Sequence, residues 1–176
     1  MTDQGLTEYL ELLRTHGWRV ELWTGAEAPV LDSSFTQRYP RLPDGYLKFL
    51  QRVSRCENGE ETVWFLCLND YNNQSDSEWA WNAMEQIDLE GAEDDARKSE
   101  VVEFWNRHLP FMLNVSGEYA YMAFRVTNDR FGSVVEGYDI ELTEPTDVAA
   151  SFDDFVRLHS SAVRGEPGDE FPGGYV

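Results

Sequence analysis

The spacing of apolar and polar residues predicts a helix and then a strand at the start of the chain. Four large apolar residues repeat there with helical spacing, at Leu6, Tyr9, Leu10 and Leu13. Gly17 can adopt the left-handed conformation that often ends a helix, so the predicted helix stops there. Residues 18–23 alternate between bulky apolar and charged side chains, which predicts a half-buried strand. Residues 25–39 are expected to be a connector.

The stretch from Leu42 to Gly59 predicts a helix, a turn and a strand in that order. Pro43 suits the first turn of a helix, because it has no N–H and its φ is fixed. The apolar residues that follow with helical spacing are Tyr46, Phe49, Leu50 and Val53. Asn58-Gly59 is typical of a tight turn. The apolar run at 62–68 is rich in strand-forming residues, so we expect a buried strand there.

Further on, the pattern predicts two central helices, three more strands and a final helix. The central helices are expected from Ser77 to Gln86 and from about Asp94 to His108, and the strands at 111–115, 118–126 and 133–142. Ser151 can cap the last helix, whose apolar stripe consists of Phe152, Phe155, Val156 and His159. The predicted fold is α+β, a single mostly antiparallel sheet of about five or six strands packed by N-terminal, central and C-terminal helices. We assign residues 1–164 to this domain and residues 165–176, rich in Gly, Pro and acidic residues, to a flexible tail.

Size and cysteine content indicate one folded cytoplasmic domain. The chain has 176 residues, 41% of them hydrophobic, which is enough for a substantial core. No apolar run approaches the ~20 residues of a membrane span, and no secretory signal is visible at the N-terminus. Cys56 and Cys67 fit a reducing cytosol. We expect Cys67 to be buried and Cys56, next to the turn, to be partly exposed.

Charge narrows the possible partners. The chain has 33 acidic and 14 basic residues, a net charge of −19, which disfavours binding to nucleic acid or to an anionic membrane. Two interpretations stay open: the charge keeps the protein soluble, or it attracts a basic protein partner. Eleven acidic residues and only two basic ones lie between residues 69 and 103, a segment that could also be a solvated helix face. The candidate partner-binding residues are Asp70, Asp76, Glu78, Trp79, Trp81, Glu90, Glu93, Asp94 and Asp95.

Catalytic motifs are missing from the sequence. There is neither a Gly-rich phosphate-binding loop nor a Gly-x-Ser-x-Gly nucleophile motif. The three histidines, His16, His108 and His159, are far apart, and no nucleophile, base and orienting group can be assigned together. His159 lies in an apolar helical stripe and is interpreted as a structural residue. We therefore expect no enzyme activity, no cofactor and no metal ion.

Several short motifs resemble the SUKH superfamily, the group related to the Smi/Knr fungal cell-wall regulator. The helix-and-turn signature corresponds to Leu42-Pro43-x-x-Tyr46-x-x-Phe49-Leu50 followed by Asn58-Gly59. Gly117-Glu118-Tyr119, then Gly132, resemble its later strand elements, and Ser151-Phe152-x-x-Phe155-Val156 resembles its closing helix. The resemblance spans roughly residues 6–163. Glu118 stands where Asp is usual, and the extended glycine run after the turn is reduced to Gly59.

This resemblance implies that the protein is a non-enzymatic immunity protein. Bacterial members of the superfamily mostly bind and neutralise polymorphic toxins, often nucleases, that are delivered between competing cells. Such toxins are basic where they grip nucleic acid, so the resemblance favours the basic-partner interpretation of the charge. It implies no catalytic residues. The alternative is a cytosolic regulatory or scaffolding module that binds another protein, and both a monomer and a homodimer remain open.

Overall fold

The computed structural model describes residues 1–25, 30–77, 79–117, 119–127, 130–138, 142–166, 171–172 and 174–176. Its helices are α1 (Asp3–Thr15), α2 (Ser33–Arg38), α3 (Asp44–Arg52), α4 (Leu68–Tyr71), α5 (Ala83–Gly91), α6 (Asp95–Arg107) and α7 (Phe152–Val163). Its strands are β1 (Arg19–Leu22), β2 (Val53–Glu57), β3 (Val63–Phe65), β4 (His108–Asn114), β5 (Ala120–Arg125), β6 (Val134–Tyr138) and β7 (Thr146–Ala149).

The strands form one antiparallel sheet in sequence order, from β1 at one edge to β7 at the other. The expected α+β class and antiparallel sheet are confirmed, but the expected five or six strands are wrong, because the described residues form a sheet of seven. The pattern did not reveal β2 and β7. Val53, expected to end a helical stripe, is the buried first residue of β2, and Asn58-Gly59 joins β2 to β3. β7 carries few apolar residues, so it has no alternation to detect.

One face of the sheet is covered by α1, α3 and α7, and the core lies between them. Phe111 and Phe124 stack with their ring centroids 4.2 Å apart. The most deeply buried of the other aromatic residues in this layer include Tyr46, Phe49, Phe65, Phe152 and Phe155, all at most 1% exposed. Aromatic side chains bury more apolar area than any other type, so this layer contributes most of the hydrophobic stabilisation. The helical stripes predicted for α1, α3 and α7 are the residues that line it.

The motif residues stabilise the junctions between elements. Ser151 caps α7, because its hydroxyl accepts a hydrogen bond from the N–H of Asp154 at 3.1 Å. Asn58 holds the β2–β3 turn, since its side-chain oxygen accepts from the N–H groups of Thr62 and Val63 at 2.9 and 3.1 Å. Gly132 has φ +83, and a Cβ there would lie 3.6 Å from Pro43. These contacts give each of the three motif residues a role in stabilising the fold.

The opposite face of the sheet is covered in part by α6. Tyr121 and Phe124 are three residues apart in β5 and so point to opposite faces. Phe124 lies in the aromatic core, whereas the ring of Tyr121 packs 4.9 Å from that of Trp105 in α6. The helix expected near Asp94–His108 is close to the observed α6. The helix expected from Ser77 to Gln86 is displaced, because α5 starts at Ala83 and includes Gly91.

The last described residues pack on the domain. Tyr175 is fully buried, and its carbonyl accepts a hydrogen bond from His159 at 2.8 Å. The carbonyl of Gly174 accepts from the side-chain amide of Asn114 at 2.9 Å. These residues belong to the segment that the sequence analysis assigned to a flexible tail. No helix within the described parts of the chain is long and apolar enough to cross a membrane.

Both cysteines are buried and free. Burial of Cys67 agrees with the expectation, but the expected partial exposure of Cys56 is wrong. Cys56 is 1% exposed, because it belongs to β2 and lies opposite Val20 of β1 on the helix-covered face of the sheet.

Candidate functional site

An open groove of about 780 Å³ lies beside β1, β2 and β3 and the loop that follows α4. We call it the acidic groove. Its acidic residues are Glu21, Glu57, Glu61, Asp70 and Asp76, its aromatic side chains include Trp23, Trp64 and Trp79, and Arg55 is the one basic residue in its described lining. Five carboxyl groups around one guanidinium give the groove a negative charge.

Strand pairing explains why these residues share one face. Glu21 of β1 lies opposite Arg55 of β2, and Glu57 of β2 lies opposite Trp64 of β3. Directly paired residues in antiparallel strands project from the same face, and neighbours along a strand project from the other. Cys56, between Arg55 and Glu57, therefore points into the core. Glu21, Arg55 and Glu57 line the groove because the apolar positions next to them in β1 and β2 are buried.

Arg55 neutralises only part of this charge. Its guanidinium lies 2.7 Å from the carboxylate of Asp76 and 3.3 Å from that of Glu57. Burial alone would lower the pKa of Arg55, but Glu57 and Asp76 raise it. Arg19, which lies outside the groove lining, pairs with Glu21 at 2.7 Å and with Glu57 at 3.4 Å. Asp76 is largely exposed and pairs with Arg55 alone among the described residues. Asp76 can therefore accept a second cation from outside the molecule.

Asp70 has a structural role at the edge of the groove. Its carboxylate accepts a hydrogen bond of 2.6 Å from the N–H of Cys67 and so caps the start of α4. Burial raises the pKa of Asp70, although this hydrogen bond lowers it. Asp70 adds charge to the groove but is less accessible than Asp76.

The tryptophans give the groove an aromatic lining. The ring of Trp79 contacts Tyr119 edge-on with their centroids 4.9 Å apart, and both residues are partly exposed. The indole N–H of Trp23 donates to the carbonyl of Leu50 at 3.1 Å, which fixes the orientation of that ring. The indole nitrogen of Trp64 is buried and has no hydrogen-bond partner among the described groups. Indole faces attract cations and provide apolar contact area.

Two acidic residues of the central segment are buried structural groups. Glu85 is bound by Arg38 through two hydrogen bonds of 2.6 and 2.7 Å. Asp88 accepts a hydrogen bond of 2.9 Å from the indole N–H of Trp105. The surface formed by residues 69–103 is therefore less negative than the number of acidic residues in that segment suggests. Trp81, a predicted partner-binding residue, packs against Phe35, Tyr39 and Tyr71 and is only partly exposed.

The exposed acidic residues of α5, α6 and their connection form a second negative surface, which we call the acidic ridge. Its residues are Glu90, Glu93, Asp94, Asp95, Glu100 and Glu103. Two of them face cations of the same helix, Asp95 with Lys98 at 3.8 Å and Glu100 with Arg97 at 3.1 Å. Asp94 caps α6 by accepting from the N–H of Arg97. The ridge is acidic but carries its own basic residues, as exposed helix faces usually do.

The predicted partner-binding residues are therefore divided between three places. Asp70, Asp76 and Trp79 line the groove, Trp81 packs in an aromatic cluster, and Glu90, Glu93, Asp94 and Asp95 lie on the ridge. Glu78 lies outside the described residues. Sequence reasoning missed the groove residues contributed by β1, β2, β3 and the positions next to them, which are Glu21, Glu57, Glu61, Trp23 and Trp64. The alternating pattern of residues 18–23 predicted β1. Because β2 was not predicted, the sequence did not show which residues lie beside β1 on the same face of the sheet.

The groove can contact a partner through charged and aromatic side chains. No group of three His, Cys, Asp or Glu side chains within the described ranges is arranged to hold a metal ion. His108 and His159 are both buried outside the groove, and burial lowers the pKa of each to about 4. These histidines are neutral near pH 7 and belong to the packing of the domain.

Comparison with known proteins supports the resemblance seen in the motifs. A search of curated proteins gives no match. The family model described as the SMI1 / KNR4 family (SUKH-1) matches residues 34–158, which run from α2 into α7 and include β2 to β7. This match covers well over half of the chain and contains the helix, turn and closing-helix motifs. The chain therefore belongs to the SMI1 / KNR4 family (SUKH-1).

Proposed function

We propose that this protein is a non-enzymatic immunity protein that binds and neutralises a cognate toxin domain through the acidic groove. The SUKH family is generally associated with toxin immunity, which supports this class of function. The partner is a basic domain, and a nuclease fits best because nucleases carry cationic surfaces where they bind nucleic acid. An acidic protein that covers such a surface competes directly with the substrate.

The observation that carries the proposal is the combination of acidic and aromatic residues in one groove. Glu21 and Asp76 are exposed carboxylates, and Trp79 is a partly exposed indole beside them. Tryptophan and paired charges are the side chains that dominate binding energy at protein interfaces. Close charge pairs across an interface contribute roughly 1.5–7 kcal/mol of coupling energy in favourable cases. A lysine or arginine of the partner next to Asp76 and Trp79 would gain both kinds of contact.

The acidic ridge has a different role in the proposal. Its residues lie on an exposed surface without the tryptophan side chains that line the groove, so each contributes little to a bound complex. The ridge adds to the negative field that accelerates encounter with a cationic partner. We therefore expect changes in the ridge to alter the association rate and its salt dependence, and changes in the groove to alter the dissociation rate.

Two variants with the same change in charge separate these roles. The groove variant is Glu21→Lys/Asp76→Lys, and the matched ridge variant is Glu90→Lys/Glu93→Lys. Glu57 is left unchanged, because its side chain is only 13% exposed and pairs with both Arg19 and Arg55. Glu21 and Asp76 are far more exposed, and each pairs with one arginine among the described residues. Each variant is co-expressed with the C-terminal toxin domain encoded by a neighbouring gene. Growth rescue, co-purification and dissociation constants are then measured.

The groove variant is expected to raise the dissociation constant at least 100-fold, which corresponds to the loss of about 1.4 kcal/mol at each of two positions. The ridge variant is expected to change it less than tenfold and mainly through association. Equal effects of the two variants would contradict the assignment of the interface to the groove. If the wild-type protein neither rescues growth nor co-purifies with the toxin domain, the immunity function itself is wrong. The regulatory or scaffolding alternative would then be favoured.

A further inference from the structure

A second pocket, of about 600 Å³, lies at the β7 edge of the sheet. We call it the arginine pocket. It is formed by three segments far apart in sequence, namely the loop with Arg41, the turn with Arg130 and Phe131, and β7 with its following residue Ala150. Seven strands spaced about 4.8 Å apart place it roughly 30 Å across the sheet from the β1 edge near the acidic groove. It is therefore a separate surface.

The charge of the arginine pocket is opposite to that of the molecule as a whole. Its carboxylate, Asp147, is bound by Arg130 at 2.5 Å and also by Arg125. Partial burial would raise the pKa of Asp147, but the two guanidinium groups lower it. The guanidinium of Arg41 lies over the ring of Phe131 at 4.1 Å and makes no ion pair within the described part of the chain. In a chain of net charge −19, this pocket thus presents an exposed arginine with no carboxylate partner among the residues that the structure describes.

The same pocket contains an open strand edge. β7 pairs with β6 on one side, and no other described strand pairs with its outer side. Its Val148 and Ala149 line the pocket, so apolar contact area lies next to unpaired backbone groups. Ser133, which also lines the pocket, is buried, and its hydroxyl has no hydrogen-bond partner in the described structure. Open strand edges are the sites at which extended peptides add to a sheet.

We propose that the arginine pocket binds an extended peptide segment of a protein partner, with the peptide backbone along the outer edge of β7 and an acidic side chain paired with Arg41. Charge complementarity selects an acidic side chain, because Asp147 is already paired with two arginines and Arg41 has no ion pair with any described residue. The volume of the pocket accommodates several side chains, which fits a peptide better than a single small anion. This surface is independent of the proposed toxin interface and would let the protein hold a second partner.

The test uses the full-length ¹⁵N-labelled protein and a panel of short blocked peptides of the form Thr-Val-Asp-Val-Thr, with binding followed by chemical-shift changes. Three comparison ligands accompany the panel. They are the Asn analogues, which lack the carboxylate, backbone N-methylated analogues, which cannot pair with a strand, and acetate. The variant is Arg41→Gln, and the matched control is Arg97→Gln, an exposed arginine of α6 that pairs with Glu100.

We expect peptide-induced shifts at the amides of β7 and Arg41, with affinity reduced at least tenfold by Arg41→Gln, by the Asn analogue and by N-methylation. The tenfold loss corresponds to removal of one charge-assisted contact. Arg97→Gln is expected to leave the affinity unchanged. The proposal is overturned if no peptide of the panel shifts the β7 amides up to its solubility limit. It is also overturned if Arg41→Gln binds like the wild type, or if acetate binds as tightly as the peptide.

Discussion

Replacing His159 by glutamine is expected to remove a pH-dependent part of the free energy of unfolding. His159 is fully buried in α7, where its Nδ1 lies 2.6 Å from the hydroxyl of Tyr9 and its Nε2 lies 2.8 Å from the carbonyl of Tyr175. A carbonyl can only accept, so Nε2 carries the hydrogen and Nδ1 accepts from Tyr9. Burial disfavours the charged ring, so His159 is neutral near pH 7 and its Nδ1 accepts the hydrogen of the Tyr9 hydroxyl there.

Burial lowers the pKa of His159 from 6.5 to about 4. Between these values the unfolded chain binds a proton at this residue and the folded chain does not, so acidification stabilises the unfolded state. Stability is therefore complete above pH 6.5 and is lost as the pH falls from 6.5 toward 4. At about 1.4 kcal/mol per pH unit, the loss is about 2 kcal/mol at pH 5 and about 3 kcal/mol at pH 4.

Urea unfolding followed by circular dichroism at pH 7, 6 and 5 measures this effect. At pH 7, His159→Gln is expected to be less stable than the wild type by about 3 kcal/mol, since two buried hydrogen bonds and the ring contacts are disturbed. At pH 5 the difference should shrink by about 2 kcal/mol, because only the wild type has lost the histidine contribution. His108 is also buried, but it is present in both proteins, so its contribution cancels in the difference between their free energies of unfolding. His16→Gln controls for the removal of an exposed histidine. A difference that stays constant from pH 7 to pH 5 would refute the reasoning.

Two further predictions concern contacts within the fold. Arg38→Met leaves the buried carboxylate of Glu85 without its guanidinium partner, so the free energy of unfolding measured in urea should fall by about 3–5 kcal/mol. The double variant Arg38→Met/Glu85→Leu should recover most of that loss, and equal losses in the two variants would contradict this explanation. Gly137→Ala places a Cβ inside the van der Waals radius of the Tyr121 ring and should cost about 1–3 kcal/mol in thermal unfolding. The control Gly91→Ala, whose Cβ meets nothing within 4 Å, should not be destabilising, and a loss of similar size there would count against the steric explanation.

The two proposed binding surfaces bear on how this protein would recognise its partners. The acidic groove and the arginine pocket lie toward opposite edges of one sheet and carry opposite charge. A basic partner at the groove and an acidic peptide at the pocket would therefore not compete for the same residues. Salt should weaken both interactions, because each depends on exposed charges. Measuring each partner in the presence of the other would show whether the two sites are coupled.

The buried faces of the helices could be predicted from the sequence, because apolar residues on one face of a helix recur every three to four positions. The stripes of α1, α3 and α7 were predicted from positions such as Leu10, Phe49 and Phe155, and all three are in the core. The helix cap at Ser151 could also be predicted, because it is a local contact between residues only three positions apart. The SUKH resemblance rested on these local motifs, and the family match confirms it.

Tertiary structure alone determined β2, β7 and the assembly of the groove. Val53 fits a helical stripe and a strand equally well, and only pairing with β1 distinguishes the two. Glu21, Arg55 and Trp64 belong to three strands, and strand register, which no local pattern specifies, brings them to one face. Burial of Glu85 against Arg38 likewise depends on a contact between residues 47 positions apart. The sequence by itself thus determined helices α1, α3, α6 and α7, the family and the excess of negative charge. Where that charge is exposed, and what surrounds it, depends on contacts between distant residues that exist only in the folded chain.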